Sequence, residues 1–199
     1  GGQHSDMLEA WLAHVPGLKV VAASNPADAY GLLYSSIMDP NPVIFIENTP
    51  GYFVKGPAPA PDHVVPLGKA SVPRKGTDIT LIGYGSSISR CHGAADNLAK
   101  DGISCEIVDL RTIAPFDEET VLKSVAKTKA AVVVHEAVRN FGVGAEISSR
   151  IHEELFSELK APVGRVGSGY APVPFSPAIE KAWMFNQDDV EREVHKILG

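Results

Sequence analysis

A histidine close to the start of the chain is the first residue whose type and position suggest chemistry. His4 stands between Gln3 and Ser5, and an amphipathic pattern typical of a helix begins directly after it. A neutral imidazole can both donate and accept a hydrogen bond, so a histidine in front of a helix is suited to orienting a substrate or moving a proton. A solvated polar side chain is the more frequent role at such a position. Spacing alone therefore favours the solvated role over the catalytic one.

The end of the second predicted helix offers a candidate cation site, in the stretch Ser-Ile-Met-Asp-Pro-Asn at residues 36–41. The last turn of a helix leaves about four carbonyl oxygens without intrahelical donors. Pro40 and Pro42 remove two further amide donors, and Asp39 adds a carboxylate. Several oxygens that face one point suit a hard cation. A helix end solvated by water is the alternative, and the pattern alone favours it.

Two further stretches combine polar groups with the ends of predicted strands. The turn at residues 83–87, Gly-Tyr-Gly-Ser-Ser, opens a helix, where backbone amides can hold a phosphate, but its spacing is not that of a dinucleotide-binding motif. His135 and Glu136 end another strand, at the edge where α/β folds bind ligands. Adjacent strand residues point to opposite faces, so these two cannot easily act together. We interpret the first stretch as a tight turn and the second as a structural or interface element.

The composition is that of an ordinary soluble globular protein and excludes several classes. The 199 residues carry a formal net charge of -6 with a pI near 5.6, which argues against nucleic-acid binding. No apolar run approaches the roughly 18 residues of a membrane span. Cys91 and Cys105 lie in apolar patterns without metal-binding spacing, so we expect both to be buried and reduced, as in a cytoplasmic protein.

The elements that would position the candidate residues alternate between helix and strand. An apolar stripe over residues 7–15 predicts a first helix, with Asp6 and Glu9 as its capping box. The next elements are a strand at 18–24, a helix at 26–38 and a strand at 43–47. Two strands are only half a domain. The proline-rich stretch at 48–66 then predicts a linker or an ordered crossing loop.

The alternation of strand and helix continues through the rest of the chain. The predicted strands are 78–85, 104–110, 130–136 and 162–167, and the predicted helices are 86–101, 117–127, 144–159 and 187–198. Four strands with alternating helices predict a complete doubly wound α/β domain. The chain begins with glycine instead of methionine, which predicts a fragment or a processed product.

Several stretches, taken in order, resemble one known family. They are GGQHSDMLEAWLAHVPGLKVV, DPNPVIFIEN, PLGKA, EIVDLRTIAPFDEETVLKSVAKT, HEAVRNFGVGAEISSRI and APVGRVGSGYAPVPFSPAIEKA. The series resembles the β subunits of the thiamine-diphosphate-dependent first component of 2-oxo acid dehydrogenase complexes, of the pyruvate, branched-chain and acetoin types. The resemblance covers essentially the whole chain. Its segments are specific jointly, although each is weak alone.

The resemblance implies an α/β fold with two parts. Residues 1–66 would be the C-terminal part of a transketolase-type pyrimidine-binding domain together with the proline-rich segment. Residues 67–199 would be a complete, doubly wound transketolase C-terminal domain. The family's glutamate that contacts the aminopyrimidine ring of the cofactor would precede Gly1, so no acidic residue of this chain is assigned that role.

The resemblance also implies site residues. His4 matches the family's active-site histidine, which lies near the thiazolium ring and orients the substrate or assists acyl transfer. A segment that binds a structural potassium ion through main-chain oxygens in relatives is matched by Ser36, Ile37, Asp39 and Asn41. Asp6 departs from the glutamine that often follows the motif's serine, and residues 49–56 also differ from many relatives. HEAV is typical of branched-chain relatives and FGVGAEI of pyruvate relatives, so the substrate stays open.

The implied activity is oxidative decarboxylation of a 2-oxo acid, pyruvate or branched-chain, with acyl transfer to lipoyl groups of an acyltransferase core. The implied partners are an α subunit, which would hold the diphosphate and magnesium of thiamine diphosphate, a second β subunit in a heterotetramer, and the core. Nucleic acid and membrane are not expected partners, and the expected compartment is the cytoplasm, or the mitochondrial matrix in a eukaryote. Two alternatives remain: a non-catalytic assembly module of the same complex, and another thiamine enzyme of the transketolase or deoxyxylulose-phosphate synthase type.

Overall fold

The computed structural model describes residues 2–199, which form helices and strands in alternation. The helices are α1 (Glu9–Ala13), α2 (Pro26–Met38), α3 (Ser87–Leu98), α4 (Glu118–Thr128), α5 (Val143–Leu155), α6 (Pro177–Trp183) and α7 (Gln187–Leu198). The strands are β1 (Lys19–Ala22), β2 (Val43–Ile46), β3 (Ser71–Arg74), β4 (Ile79–Gly83), β5 (Cys105–Asp109), β6 (Thr112–Ala114), β7 (Ala131–Val138) and β8 (Gly164–Ser168). Within the described part of the chain, no helix is both long and apolar enough to cross a membrane.

The strands form two sheets, and β6 connects them. The smaller sheet has the order β2-β1-β6, with β1 parallel to β2 and antiparallel to β6. The larger sheet has the order β3-β5-β4-β7-β8, in which only β3 is antiparallel to its neighbour. Because β6 follows β5 in the chain but pairs with β1, the later part of the chain completes the sheet of the earlier part. The predicted α/β fold class, with a doubly wound second part, is confirmed.

Apolar side chains cover both faces of the larger sheet. Strand β4 is buried at every position, which is typical of a central strand in a parallel sheet with helices on both faces. On one face Leu81 belongs to a cluster with side chains of α3 and α7. On the other face Ile82 belongs to a cluster that includes α4, α5 and also Val20 and Ala22 of β1. The two sheets therefore share one of these apolar layers.

Both cysteines are free and fully buried, as expected from their apolar surroundings. Burial raises the pKa of the Cys105 thiol to about 11 and raises that of Cys91 as well. A thiol is a weak nucleophile and a weak metal ligand until it is deprotonated. Cys91 and Cys105 are therefore packing residues.

Most predicted elements form, with ends that differ by a few residues, and three of their termini show why. Asp117 caps α4 by accepting a hydrogen bond from the Thr120 amide at 3.2 Å. Gly102, with a φ of 80°, ends the helical segment that continues α3. Asn186 and Asp189 form a reciprocal capping box at the start of α7. Such termini depend on local residue types, so the sequence signals were sufficient.

The predicted start of the first helix is wrong. Helix α1 begins at Glu9, and its N-cap, Leu8, makes no side-chain hydrogen bond. Asp6 lies in the preceding irregular segment and is exposed. The Glu9 carboxyl accepts a hydrogen bond from the hydroxyl of Tyr84 instead of closing a capping box. The Glu9 carboxyl, which the local pattern predicted to cap the helix, therefore makes a tertiary hydrogen bond instead.

Three elements were not predicted. Strand β3 contains Pro73 and lies at the edge of its sheet, the place where a strand tolerates proline. Strand β6 has three residues, too few for a periodic signal. Helix α6 has proline at its first position after Ser176, a start signal that was available in the sequence.

The proline-rich segment is an ordered crossing loop packed on α2. Its only regular element among the described residues is the 3-10 helix Thr49–Phe53. The Tyr30 hydroxyl donates to the carbonyl of Pro61 at 2.7 Å, and the Ser35 hydroxyl donates to that of Val65 at 2.7 Å. These contacts favour the second of the two predicted roles, a crossing loop, over a free linker.

Candidate active site and candidate cation site

His4 lies at the end of a turn over residues 2–4, and its side chain is exposed. The turn lies against a distant part of the chain, because a Cβ added at Gly2 would come within 3.1 Å of the Val173 carbonyl oxygen. An irregular segment, residues 5–8, joins the turn to α1. The imidazole is therefore accessible from outside this chain, as a residue that meets a substrate or a partner-held cofactor must be.

An apolar cavity of about 460 Å³ opens next to the segment that follows His4. Its first wall comes from residues just after His4, including Met7 and Trp11, and its second wall comes from the loop after β7 and from Tyr170. The rings of Phe141 and Tyr170 lie 5.9 Å apart and are tilted by 57°. Trp11, Phe141 and Tyr170 remain 70%, 84% and 68% exposed. Exposed aromatic side chains around a cavity of this size are typical of a ligand or partner surface.

A buried hydrogen bond anchors α1 to the larger sheet. The hydroxyl of Tyr84, at the end of β4, donates to Glu9 Oε1 at 2.7 Å, while Glu9 Oε2 has no partner among the described residues. Glu9 is fully buried, and this burial raises the pKa of its carboxyl. The pair fixes the start of α1, five residues after His4. The sequence contained no signal for this contact, since Glu9 fitted a capping box.

The turn at residues 83–87 is held by a glycine conformation and by side-chain hydrogen bonds. Gly85 has a φ of 53°, a left-handed conformation that glycine adopts readily. The hydroxyl of Ser86 donates to the carboxylate of Glu136, and Asn48 Nδ2 donates to the same carboxylate at 2.9 Å. These hydrogen bonds join the side chains across the turn, and Asn48 brings the crossing loop onto the larger sheet. The interpretation as a tight turn agrees with this arrangement.

His135 is enclosed and is not accessible to a substrate. A Cβ added at Gly142, Gly144 or Gly167 would come within about 3 Å of its ring. The ring stacks with that of Tyr84 at 6.3 Å, and burial lowers the pKa of the imidazole to about 4. His135 and Glu136 make separate contacts, in keeping with the opposite faces of a strand. The structural interpretation of this pair is supported.

The candidate cation segment lies where α2 ends, next to the start of β1. The carboxylate of Asp39 is bound by Lys19 Nζ and by the Asn41 amide, the latter at 2.9 Å. These contacts hold the pKa of Asp39 at about 2, Lys19 being the main cause. The Ser36 hydroxyl donates to the carbonyl of Leu32 within the helix, and the Ile37 side chain is 72% exposed.

The fit of this segment to a cation depends on its main-chain oxygens, because its only carboxylate already has protein partners. Asp39 is extended, with φ -75° and ψ 133°, so α2 ends there without a closing amide. Carbonyl oxygens at such an end are available to water or to a hard cation. Among residues 2–199, no group of three or more His, Cys, Asp or Glu side chains is placed to hold a metal ion. The available oxygens suit potassium better than a transition metal.

The chain matches two family models. The model of the transketolase C-terminal domain matches residues 68–190, and the model of the transketolase pyrimidine-binding domain matches residues 1–53. Among solved structures, a split-gene transketolase described as an inactive β4 tetramer superposes with a TM-score of 0.78. That likeness covers 100% of this chain and 63% of the other at 24% identity, and it shows a shared fold.

Curated relatives are similar over nearly the whole chain. The pyruvate dehydrogenase E1 component subunit β of Bacillus subtilis is 43% identical over 98% of this chain and 60% of its own length. The mitochondrial counterpart of Dictyostelium discoideum is 40% identical over 99% of this chain and 56% of its own length. The chain thus spans less than two thirds of the length of these relatives. With the C-terminal domain model matched over more than half of its residues, the chain belongs to the transketolase family.

Proposed function

We propose that this chain acts within the β subunit of a 2-oxo acid dehydrogenase that oxidatively decarboxylates a 2-oxo acid, with pyruvate or a branched-chain acid as substrate. The observation that carries the proposal is the 43% identity, over 98% of the chain, to a protein named as the β subunit of pyruvate dehydrogenase E1. The acyl group would pass to lipoyl groups of an acyltransferase core. The domain assignment that accompanies it is 1–66 for the partial pyrimidine-binding domain and 67–199 for the C-terminal domain.

Thiamine diphosphate, when bound, supplies a nucleophilic carbon that adds to the 2-oxo group and accepts the electrons left by CO₂. In the proposed enzyme an α subunit holds its diphosphate and magnesium. The residues of this chain would orient the substrate and shield it from water. His4 presents an exposed imidazole that can donate a hydrogen bond to a substrate oxygen or accept a proton there. Met7 and Trp11 form an apolar wall next to the segment that follows His4, and a partner subunit packed on this wall would exclude water from that side.

Two further assignments accompany the proposal. Main-chain oxygens of Ser36 and Ile37, with Asp39 and Asn41 nearby, would hold a structural potassium ion at the end of α2. A second β subunit would complete a heterotetramer. The enzyme would work in the cytoplasm, or in the matrix if the source is eukaryotic.

A substitution of His4 in the reconstituted enzyme, with α subunit and lipoylated core, tests the catalytic role. We expect His4→Ala to lower overall turnover by roughly 10²-fold or more, the range for loss of a general acid–base group. His195→Ala is the matched control, since His195 lies on α7, is exposed and lines neither cavity. Turnover of the His4 variant within about twofold of wild type, a barrier change of only ~0.4 kcal/mol, would contradict the role.

Titration with thiamine diphosphate separates the enzyme from the alternative, a non-catalytic assembly module. Calorimetry is carried out with this chain alone, with the α subunit alone, and with both together. We expect tight stoichiometric binding only for the mixture, because the proposed pocket needs both subunits. If the mixture binds the cofactor no better than the α subunit does alone, the chain has an assembly role.

A further inference from the structure

A second cavity, of about 430 Å³, lies at the free edge of the larger sheet. Strand β8 forms its floor, α7 forms one wall, and the segment from Ala182 to Phe185 forms another. Residues that follow the carboxyl ends of β7 and β8 also line it, which is where α/β folds bind ligands. Its volume falls in the range of small-molecule sites, roughly 300–1,000 Å³. His4 and the residues of the candidate cation site do not line this cavity, whereas Asn140 and Tyr170 line both it and the cavity beside His4.

The cavity has an excess of positive charge in a chain whose formal net charge is -6. Arg139, Arg165 and Arg192 line it, together with two acids. The acids already have partners, since Asp189 pairs with Arg192 at 2.9 Å and Glu193 pairs with Lys196 at 3.0 Å.

Two of the arginines therefore stand without a carboxylate. No ion pair among the described residues involves Arg139 or Arg165. A guanidinium group binds phosphate oxygens in a bidentate manner, with better geometry than lysine provides. Two uncompensated guanidinium groups that line one cavity favour an oxyanion as its ligand.

Trp183 gives the cavity an aromatic side, and its ring is held in place. The indole Nε1 of Trp183 donates to the carbonyl of Gly169 at 2.7 Å and to that of Ala171 at 3.2 Å. The Ser168 hydroxyl donates to the carbonyl of Glu136 at 2.6 Å, which fixes the end of β8 below. A ring held by such a bifurcated hydrogen bond loses little freedom when a ligand packs on it. The cavity thus combines an anion-binding side with a rigid apolar side.

We propose that this cavity is a binding site for a small organic phosphate. Arg139 and Arg165 bind the phosphoryl oxygens, and the organic part packs against Trp183. The proposal does not rest on the 2-oxo acid dehydrogenase activity, because the side chains that carry it, Arg139, Arg165 and Trp183, do not line the cavity beside His4.

Equilibrium dialysis with phenyl phosphate, at fixed ionic strength, tests the site without any catalytic readout. Inorganic phosphate and phenol serve as comparison ligands, since each corresponds to one half of phenyl phosphate. We expect saturable one-to-one binding of phenyl phosphate, at least about tenfold tighter than that of either half, because both sides of the cavity contribute. Absence of saturable binding, or equal affinity for phenyl phosphate and inorganic phosphate, would overturn the proposal.

Three arginine variants locate the binding. Arg139→Gln and Arg165→Gln should each weaken phenyl phosphate binding by roughly tenfold, as expected for loss of a charge-assisted hydrogen bond. Arg150→Gln is the matched control, because it removes the same charge from α5, outside the cavity, and should change the affinity by less than about twofold. Equal weakening by all three would mean non-specific attraction and would sink the assignment.

A conservative variant guards against a folding defect. Arg139→Lys keeps the charge but loses the planar fork, so its affinity should lie between those of wild type and Arg139→Gln. The thermal unfolding midpoint of each variant is measured in parallel. A variant with a wild-type midpoint and wild-type affinity counts directly against the role of that arginine.

Discussion

Buried acids determine much of the chemistry of this chain at the scale of single residues. Asp109, at the end of β5, is 1% exposed, and burial raises the pKa of its carboxyl to about 7. The hydroxyl of Ser24 and the backbone amide of Arg111 donate hydrogen bonds to this carboxyl. Both bonds lower its pKa, but by less than burial raises it. The nearby carboxylate of Asp28 adds to the rise, whereas the Arg111 side chain opposes it. Asp109 therefore makes stability depend on pH between about 3.8 and about 7.

The sign of that dependence follows from the raised pKa. Between about 3.8 and about 7 the folded state keeps a proton on Asp109 that the unfolded state has lost, so the free energy of unfolding falls as pH rises. We expect Asp109→Asn to remove this slope, so that the variant gains about 2.6 kcal/mol relative to wild type between pH 5 and pH 8. Urea unfolding of both proteins at pH 5 and pH 8 measures this difference in the free energy of unfolding. Asp62→Asn, at an exposed position, is the control, and parallel profiles for wild type and Asp109→Asn would contradict the expectation.

The Glu9–Tyr84 hydrogen bond gives a second expectation for single residues. Tyr84→Phe removes the donor to a carboxyl that is fully buried, so we expect a loss of about 1–3 kcal/mol in the free energy of unfolding. Tyr30→Phe is the matched control, because its hydroxyl bond to the Pro61 carbonyl is exposed. A double variant, Glu9→Met with Tyr84→Phe, should recover part of the loss, since it leaves no unpaired carboxyl. A Tyr84→Phe variant as stable as the Tyr30 control would show that the pair does not anchor α1.

At the scale of elements, the helices differ in how their termini are satisfied. Helices α2, α4 and α7 have side-chain caps, from Asn25, Asp117 and Asn186. Helices α1, α3, α5 and α6 begin without one, and of these α3 and α5 were still predicted to within a few residues from their apolar patterns. Capped helices were predicted well because the cap is local. Helix α1 was displaced because a distant side chain, Tyr84, competes for Glu9.

The capping box of α7 can be tested against an uncapped helix. Asn186→Ala should lower the free energy of unfolding by about 1 kcal/mol, the usual cost of losing an N-cap. Ser176→Ala changes the N-cap of α6, whose side chain makes no capping hydrogen bond, and should cost less than about 0.5 kcal/mol. Chemical denaturation of both variants gives the comparison. Equal losses would mean that the box contributes nothing beyond solvation of the helix end.

At the scale of the whole molecule, one arginine ties the earlier and later parts of the chain together. Arg111 lies between β5 and β6, with a φ of 58°. Its carbonyl accepts from the Ala22 amide at 2.9 Å, and its guanidinium group donates to the carbonyls of Lys69 and Ala70. It also reaches Asp28 of α2 at 3.3 Å. Strand β6, which follows Arg111, pairs with β1. The contacts of Arg111 with Ala22 and Asp28 and the pairing of β6 with β1 therefore join the two parts of the chain.

Removal of this connection should weaken the coupling between the two parts. Arg111→Ala leaves Asp28, whose side chain is 12% exposed, without its cationic partner, and we expect a loss of about 3 kcal/mol or more. Arg150→Ala breaks partly exposed pairs with Glu118 of α4 and Glu153 of α5 and should cost less than about 1 kcal/mol. Hydrogen exchange of the β1 and β4 amides, compared between wild type and Arg111→Ala, measures the coupling. We expect the β1 amides to lose protection in the variant. The expectation fails if β1 keeps the protection that it has in wild type.

The sequence predicted the elements whose signals are local. Apolar periodicity located α2, β4, β5 and α7, because burial of one face is encoded in neighbouring residues. The resemblance identified the family and selected His4, which spacing alone had not favoured. The same resemblance selected the end of α2 as a cation site, and these two site assignments stay predictions.

Only the tertiary structure decided which distant groups meet. Glu9 and Tyr84 are 75 residues apart, and Arg111 and Asp28 are 83 apart, so neither contact leaves a periodic pattern in the sequence. The cavity with Arg139 and Arg165 forms because β7, β8 and α7 converge at one sheet edge. Local sequence sets what each segment buries, whereas the pairing of segments depends on long-range packing. That is why the fold class and the candidate histidine came from the sequence, while the anchor of α1 and the anion-binding cavity required the structure.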